Sequence, residues 1–447
     1  MQSGALTLCS RNHIAWALVL FMAACGSKNV DDPVDSGGAA QLLDTVQGQG
    51  DDVGTITEDT DVSSVADIVA PKDTAPDTSA PVDTYVYTGP DPNTADKISE
   101  LVFRPPWPWS AQLPGQYVSS GATINDLTVH DDKLYVAYGS QSDKAVKIRA
   151  FEDRDVAQTT VQAETSDAML TRLRLDGETL WIMGAWTTSP TGGAVYRLAP
   201  KAPWVKLGGI PDVLATYDAL ITQGAIWVAG VGATKSQRQN GDQYARIWRS
   251  ADQGLLFEEV ASLWNDGAGV ARWHHLIATA NGLLAFGEKI NAQGALKGIP
   301  NSLVTTTTTG SVEVLPLPPD HPLKAVHVLR AWPLSSAESY VTGVDLLGVS
   351  TEQLWRLDDQ GTPTLQQTGM STVIDMWRHY KTGETLALGT FASGYVVRMS
   401  SDMISWKTIL NWSDSIAPSS VCWWKGHIYL GRADGSVHRA TGEFPSP

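Results

Sequence analysis

The sequence predicts an all-β fold, a β-propeller with seven four-stranded blades, after a disordered N-terminal tether. Two observations carry this prediction. A motif of two short apolar strands joined by a turn recurs seven times between residues 98 and 447, and no helical periodicity interrupts it. A third strand, and usually a fourth, follows each copy of the motif. Four strands in a repeat of this length favour a propeller over a solenoid, because solenoid repeats are shorter.

Each copy of the motif ends near a glycine. The seven copies are Ile124–Gly139, Leu170–Gly184, Tyr217–Gly230, Trp273–Gly287, His327–Gly343, Ile374–Gly389 and Ser420–Gly431. One apolar residue of each first strand serves as an anchor, and successive anchors lie 46 to 56 residues apart. These anchors are Leu127, Leu173, Leu220, Leu276, Leu329, Met376 and Cys422. The seventh copy runs out after its third strand, so we expect the segment Ile98–Phe103 to supply the missing outer strand and close the ring.

Residues 1–24 predict a secretion signal. Arg11 precedes the apolar run Ile14–Ala24, which is too short to span a bilayer. The run leads into Met22-Ala23-Ala24-Cys25-Gly26, which resembles the lipobox of bacterial lipoproteins. The resemblance implies cleavage before Cys25, lipid on its thiol and stable anchoring to a membrane. Gly26 after the cysteine resembles a sorting signal for the outer membrane of Gram-negative bacteria, so the predicted location is the cell envelope.

Residues 25–97 are predicted to comprise the lipidated cysteine and a disordered acidic linker. The propeller of residues 98–447 follows. From residue 26 to 97 there are 15 acidic and 3 basic residues among many Asp, Thr and Pro. Such a composition buries too little apolar surface to offset the entropy of the chain. The whole chain carries a net charge of −16, and the propeller segment is nearly balanced, which excludes a basic face for nucleic acid.

Two turns between third and fourth strands resemble the Asp-box of sialidases and related propellers. The first is Ser250-Ala251-Asp252-Gln253-Gly254-Leu255-Leu256-Phe257, and a shortened copy is Ser400-Ser401-Asp402-Met403-Ile404-Ser405-Trp406. The residues that carry the resemblance are Ser250, Asp252, Gly254, Phe257, Ser400, Asp402 and Trp406. The resemblance implies a structural role, in which Asp and Ser bond turn amides and the aromatic residue pins the hairpin. Such turns indicate a fold and not an activity.

Polar residues cluster where the innermost strands begin, and these positions converge on the central funnel. The candidate binding residues there are Asn125, Asp126, Arg172, Asp218, His274, His275, His327 and Asp375. They predict a ligand or metal pocket, in which Arg172 holds a carboxylate or phosphate. The alternative is that these groups only satisfy one another in a wet funnel. The spacing of the histidines selects no particular metal, and no cofactor is expected.

The favoured function is a ligand-binding, protein-binding or scaffolding module whose partner is an envelope protein or a glycan. The alternative is a sialidase-like glycoside hydrolase, because Phe103-Arg104-Pro105-Pro106 resembles the segment that opens sialidase domains. The other arginines of that family's triad, its Tyr–Glu pair and its acid Asp have no assigned positions here. No catalytic residue is predicted, since the nucleophile elbow, the zinc-protease motif and the Walker loop are all absent from the sequence.

Replacing the predicted lipid acceptor tests the anchor. In the variant Cys25→Ser we expect an uncleaved or soluble protein, because serine has no thiol for the lipid. Membrane fractionation and intact mass measure this outcome. An unchanged mass together with unchanged fractionation would contradict the prediction.

Overall fold

The computed structural model describes residues 99–103, 123–139, 145–153, 159–187, 193–234, 236–237, 242–263, 269–291, 295–307, 310–335, 338–345, 352–379, 381–392 and 394–440. For residues 99–103 it describes the backbone alone. The predicted signal, Cys25, the predicted linker and Arg104–Pro106 lie outside these residues. Within the described part of the chain, no helix is long and apolar enough to cross a membrane.

The first four blades follow one another as antiparallel four-stranded units. Blade 1 comprises β2 (Thr123–His130), β3 (Lys133–Gly139), β4 (Lys147–Phe151) and β5 (Thr160–Glu164). Blade 2 comprises β6 (Asp167–Asp176), β7 (Thr179–Thr187), β8 (Val195–Leu198) and β9 (Val205–Leu207). Blade 3 comprises β10 (Val213–Thr222), β11 (Ala225–Gly232), β12 (Tyr244–Ser250) and β13 (Glu258–Leu263). Blade 4 comprises β14 (Gly269–Thr279), β15 (Gly282–Asn291), β17 (Ser302–Thr306) and β18 (Val312–Pro316), with the short β16 (Leu296–Gly298) beside β15.

The remaining described strands form three further units of the same kind. Blade 5 comprises β19 (Val326–Ser335), β20 (Glu338–Asp345), β21 (Glu352–Leu357) and β22 (Pro363–Gln366). Blade 6 comprises β23 (Thr372–Arg378), β24 (Thr385–Phe391), β25 (Gly394–Ser400) and β26 (Lys407–Trp412). Blade 7 comprises β27 (Pro418–Trp424), β28 (His427–Arg432), β29 (Val437–Ala440) and β1 (Ser99–Phe103). The architecture is an all-β propeller, as predicted.

The ring closes through strands from both ends of the domain. β1 pairs antiparallel with β29, with Ser99 opposite Ala440 and Leu101 opposite His438. This pairing confirms that the segment before the first repeat supplies the outer strand of the last blade. On the inner side, β27 packs against β2, and the indole Nε1 of Trp424 donates a hydrogen bond to the Asp132 carbonyl at 2.9 Å.

The hydrophobic core lies between neighbouring blades. Separate clusters of buried apolar side chains join blades 2 and 3, blades 3 and 4, blades 4 and 5, and blades 5 and 6, and a larger cluster joins blades 6, 7, 1 and 2. The largest fully buried side chains include Trp181, Trp227, Trp248, Trp273 and Trp424. The apolar side chains are thus buried between adjacent sheets and not in the middle of the ring.

Removing the closing strand tests its contribution. A chain that begins at Gln116 lacks β1 and exposes the edge of β29. We expect it to be less stable than a chain that begins at Asp96 by about 2 kcal/mol or more, because several backbone hydrogen bonds are lost. Thermal unfolding followed by circular dichroism measures the difference. Equal midpoints would show that β1 adds nothing to stability.

Candidate functional site

A central cavity of about 1480 Å³ runs along the innermost strands. It extends from the beginning of these strands, at Asn125 and Met169, to their hairpin turns at Gly177 and Ala280. Seven of the eight predicted binding residues line it, namely Asn125, Asp126, Arg172, His274, His275, His327 and Asp375. Asp218, the eighth, is completely buried behind this wall. The structure thus places these seven predicted residues in one channel.

Each described innermost strand carries a β-bulge, and the residue after the bulge occupies an equivalent position in every blade. The bulges fall where the register shifts against the second strand, for example between Ile124 and Asp126. We call the seven equivalent positions the channel ring. In chain order the ring consists of Asp126, Arg172, Asp218, His275, Arg330, Asp375 and Ser420.

Each of the three carboxylates of the channel ring accepts a hydrogen bond from the following blade, so three of the blade junctions are joined in this way. Asp126 Oδ2 accepts a hydrogen bond from the Leu173 amide at 3.0 Å. Asp218 Oδ2 accepts from the Leu276 amide at 2.9 Å, and Asp375 Oδ2 accepts from the Val421 amide at 2.8 Å. The second oxygen of each is also occupied. Asp126 Oδ1 accepts from the Leu127 amide, Asp218 Oδ1 accepts from the Ala219 amide, and Asp375 Oδ1 accepts from the Trp332 indole. These carboxylates therefore act first as connections between blades.

Arg172 is engaged by the protein on both terminal nitrogens. Its Nη1 lies 3.1 Å from Asp218 Oδ2 and 2.8 Å from His275 Nδ1, and its Nη2 donates to the Ala331 carbonyl. Arg174 adds a second guanidinium to the same carboxylate, at 2.8 Å from Asp218 Oδ1. Arg172 therefore hydrogen-bonds to other groups of the protein, which agrees with the alternative that the polar residues of the channel satisfy one another.

His275 is held as a neutral ring by its neighbours. Arg172 has only donors, so His275 Nδ1 accepts, and its Nε2 donates to the Leu329 carbonyl at 3.2 Å. Burial and the adjacent positive charge of Arg172 lower the pKa of His275 well below its ordinary value. This histidine therefore does not switch its charge near neutral pH.

Glu288, on the second strand of blade 4, joins two of the predicted histidines. Its Oε1 lies 3.1 Å from His274 Nε2, and its Oε2 lies 3.2 Å from His327 Nε2. Arg272 Nη1 approaches Oε1 at 3.5 Å. Burial would raise the pKa of Glu288, but the hydrogen bonds from both histidines and the charge of Arg272 lower it below its usual range. The carboxylate is therefore ionised and accepts from both rings.

Arg330 belongs to the channel ring and is absent from the sequence prediction. Within the described residues nothing hydrogen-bonds to its guanidinium, and none of its nitrogens is buried without a partner. The guanidinium is thus open to the cavity that it lines. Burial raises the pKa of the neighbouring Asp375, and the positive charge of Arg330 opposes this rise. Arg330 is the described arginine of the channel ring that keeps its hydrogen-bonding capacity for a ligand.

The predicted anchors Leu220, Leu329 and Cys422 are wrong, and this error concealed Arg330. The residues equivalent to Leu127 are Ala219, Ala331 and Val421. Leu329 is the bulged residue and is 38% exposed, so its apolar character misled the assignment. Counted from the glycine of the second strand, Arg172 and Arg330 have similar spacings, because Arg172 precedes Gly184 by 12 residues and Arg330 precedes Gly343 by 13.

The two turns that resemble Asp-boxes lie away from the channel, between third and fourth strands. In the first, Asp252 Oδ1 accepts from Ser250 Oγ at 2.6 Å and from the Leu256 amide at 3.0 Å, and Gly254 has φ +91. In the shortened copy, Asp402 Oδ1 accepts from Ser400 Oγ at 3.0 Å and from two turn amides. Phe257 is buried, and Trp406 packs against the cluster between blades 5 and 6. These contacts stabilise turns and form no part of the channel.

No group of three or more His, Cys, Asp or Glu in the described residues has a geometry that could hold a metal ion. The histidines nearest to a carboxylate, His274 and His327, approach Glu288 at hydrogen-bonding distances.

Comparisons with known proteins gave matches to solved structures only. No family model and no curated protein matches the sequence. Solved propellers resemble the chain at low identity. They include the Neurospora crassa Pan2 WD40 domain (9% identity, TM-score 0.42, 79% of this chain and 97% of that one). Others are virginiamycin B lyase from Staphylococcus aureus (12%, 0.39, 73% and 97%) and Penicillium chrysogenum alpha-L-arabinanase (10%, 0.38, 77% and 98%). The function is therefore argued from the site.

The ring carboxylates predict a pH dependence of stability. Burial and the Asp375 carboxylate raise the pKa of Asp126 to about 7. A raised pKa means that the folded state still binds a proton that the unfolded state has lost. The contribution of Asp126 to the free energy of unfolding therefore decreases as the pH rises from about 4 to about 7. Asp126→Asn removes the titrating group. We expect the difference in unfolding free energy, variant minus wild type, to increase by roughly 2 kcal/mol when the pH is raised from 5 to 8.

Chemical denaturation at several pH values measures this difference. Asp252→Asn is the matched control, because turn hydrogen bonds lower the pKa of Asp252. Its effect on stability should stay constant from pH 5 to pH 8. A constant difference for Asp126→Asn as well would show that Asp126 does not titrate in this window.

Proposed function

We propose that this chain is a lipid-anchored binding module of the cell envelope, whose propeller captures an anionic ligand in its central channel. The observation that carries the proposal is Arg330, a guanidinium in a ring of interacting charges that has no hydrogen-bonded partner among the described residues. An arginine pairs with a carboxylate or a phosphate through two parallel hydrogen bonds. The large cavity beside it gives such a ligand room.

The other charges of the channel ring support an anion rather than a cation. Asp126, Asp218 and Asp375 use both oxygens on amides or an indole, so protein donors already occupy the oxygens that a cation would need. His275 is neutral, and Arg172 is bound to Asp218. A ligand that enters the channel therefore meets the open donors of Arg330.

Most glycosidases use a carboxylic acid and a second carboxylate at the scissile bond, and sialidases use a Tyr nucleophile with its Glu partner and an acid Asp. In the described channel, the three ring carboxylates are bound to backbone amides, and Glu288 is bound to two histidines. Binding is the function that this geometry supports better.

The anchor enters the proposal through the sequence motif at Cys25, which lies outside the described residues. A lipid at this position and an extended acidic linker would hold the propeller near a membrane while leaving its channel accessible. An envelope protein or a glycan is the proposed partner.

Replacing Arg330 tests the ligand site. In wild type we expect millimolar hexanoate, a simple carboxylate, to raise the thermal midpoint and to broaden in ligand-observed NMR. Arg330→Gln should abolish both effects while the protein stays folded, since the guanidinium has no hydrogen-bond partner among the described residues to lose.

Arg356→Gln is the matched control. Arg356 lies on the third strand of the same blade, half exposed, and pairs with Glu338 outside the cavity. This variant should bind hexanoate as wild type does. Undiminished binding by Arg330→Gln would refute the assignment of Arg330 as the anion site.

A further inference from the structure

We infer that His274 and His327, oriented by Glu288, form a second recognition point in the channel that accepts hydrogen bonds from the ligand, so that the ligand is a hydroxylated carboxylate. This inference rests on the proposed function, because it assigns the part of the ligand that lies beyond the anion held by Arg330. The argument needs three steps: the state of each ring, the accessibility of its free nitrogen and the charge of its surroundings.

The tautomer of each neutral ring follows from Glu288. An ionised carboxylate can only accept hydrogen bonds, so the nitrogen that faces it must carry the proton. That nitrogen is Nε2 in both His274 and His327, at 3.1 and 3.2 Å from the carboxylate oxygens. In a neutral imidazole, Nδ1 is then an acceptor with a free lone pair. Glu288 thus fixes the same tautomer in two rings.

The accepting nitrogens are available in the channel. Both imidazoles line the cavity, and within the described residues neither Nδ1 has a hydrogen-bond partner or is buried without one. Tyr217 packs against His274 with ring centroids 4.8 Å apart and holds the ring in place. The centroid of His274 is 6.1 Å from that of His275, which belongs to the channel ring. The acceptors therefore adjoin the ring that contains Arg330.

The charged side chains near His274 and His327 determine which kind of hydrogen-bond donor a ligand can present to the two Nδ1 atoms. Five guanidinium groups line the same cavity, those of Arg172, Arg174, Arg272, Arg330 and Arg378, together with carboxylates that include Glu288. Arg272 Nη1 lies 3.5 Å from the Glu288 oxygen that faces His274, and its charge opposes a cationic donor there, such as an ammonium group. A hydroxyl group carries no charge and donates one hydrogen bond. A carboxylate that carries hydroxyl groups along its chain satisfies Arg330 and the two histidines together.

Gluconate and hexanoate test this inference with the purified full-length chain, because both are six-carbon carboxylates and only gluconate is hydroxylated. Ligand-observed NMR and equilibrium dialysis give the two affinities. We expect wild type to prefer gluconate by about tenfold, from two additional hydrogen bonds. The double variant His274→Gln, His327→Gln keeps an N–H for Glu288 and removes the Nδ1 acceptors. Its preference should fall to about unity while hexanoate binds as before.

His321→Gln, a histidine outside the cavity, is the matched control and should keep the preference. Equal binding of both acids by wild type would overturn the inference, and loss of both acids in Arg330→Gln would still uphold the anion site. A double variant that loses both acids equally would assign the histidines a structural role and also overturn the inference. If wild type retains neither acid, the proposed function fails and this inference fails with it.

Discussion

The hydrogen bond from a backbone amide of one blade to a carboxylate of the preceding blade is the interaction on which the centre of this propeller depends. Each innermost strand pairs with only one neighbour in its own blade, so its other edge faces the channel with unpaired amides. Asp126, Asp218 and Asp375 satisfy such amides across three of the blade junctions. The β-bulge before each of these residues directs its side chain along the ring. The hydrogen bonds that join neighbouring blades therefore also place carboxylates at the channel.

This arrangement separates structural charges from available ones. Asp218 holds two arginines and two amides at once, which makes a buried charge tolerable. Its partner Arg172 is consequently unable to offer both terminal nitrogens to a ligand. Arg330 occupies the equivalent position in blade 5 and is also followed in the ring by a carboxylate, Asp375, but no hydrogen bond joins these two side chains. The same residue type at equivalent positions therefore connects two blades in one case and is a candidate binding group in the other.

The fold was largely predictable from the sequence, since strand alternation, turn residues and the repeat length are local signals. The pairing of β1 with β29 was also predictable, because the last repeat lacked a strand and one orphan segment could supply it. The anchors failed where a bulge inserts a residue and shifts the two-residue period of the strand. Leu329 shows the problem, because an exposed bulged leucine resembles a core residue in sequence.

The site was only partly predictable. Polar residues at the beginning of the inner strands indicated the channel, but their hydrogen bonds join residues far apart in the sequence, such as Arg172 and Ala331. No spacing rule shows that Arg172 is occupied and Arg330 is open. Glu288 was missed because it lies on a second strand, whereas only first strands were considered as sources of channel residues.

The seventh blade is assembled from residues near both ends of the domain, and this has a consequence for how the protein folds after it is made. β1 leaves the ribosome first among the described strands and must wait for β29, which is synthesised more than 300 residues later. Contacts of such sequence separation form slowly. During this delay the earlier blades expose apolar faces and strand edges, which favours assistance by chaperones. The channel is therefore the last part of the domain to be completed, because it needs all seven innermost strands and the closing pair of β1 and β29.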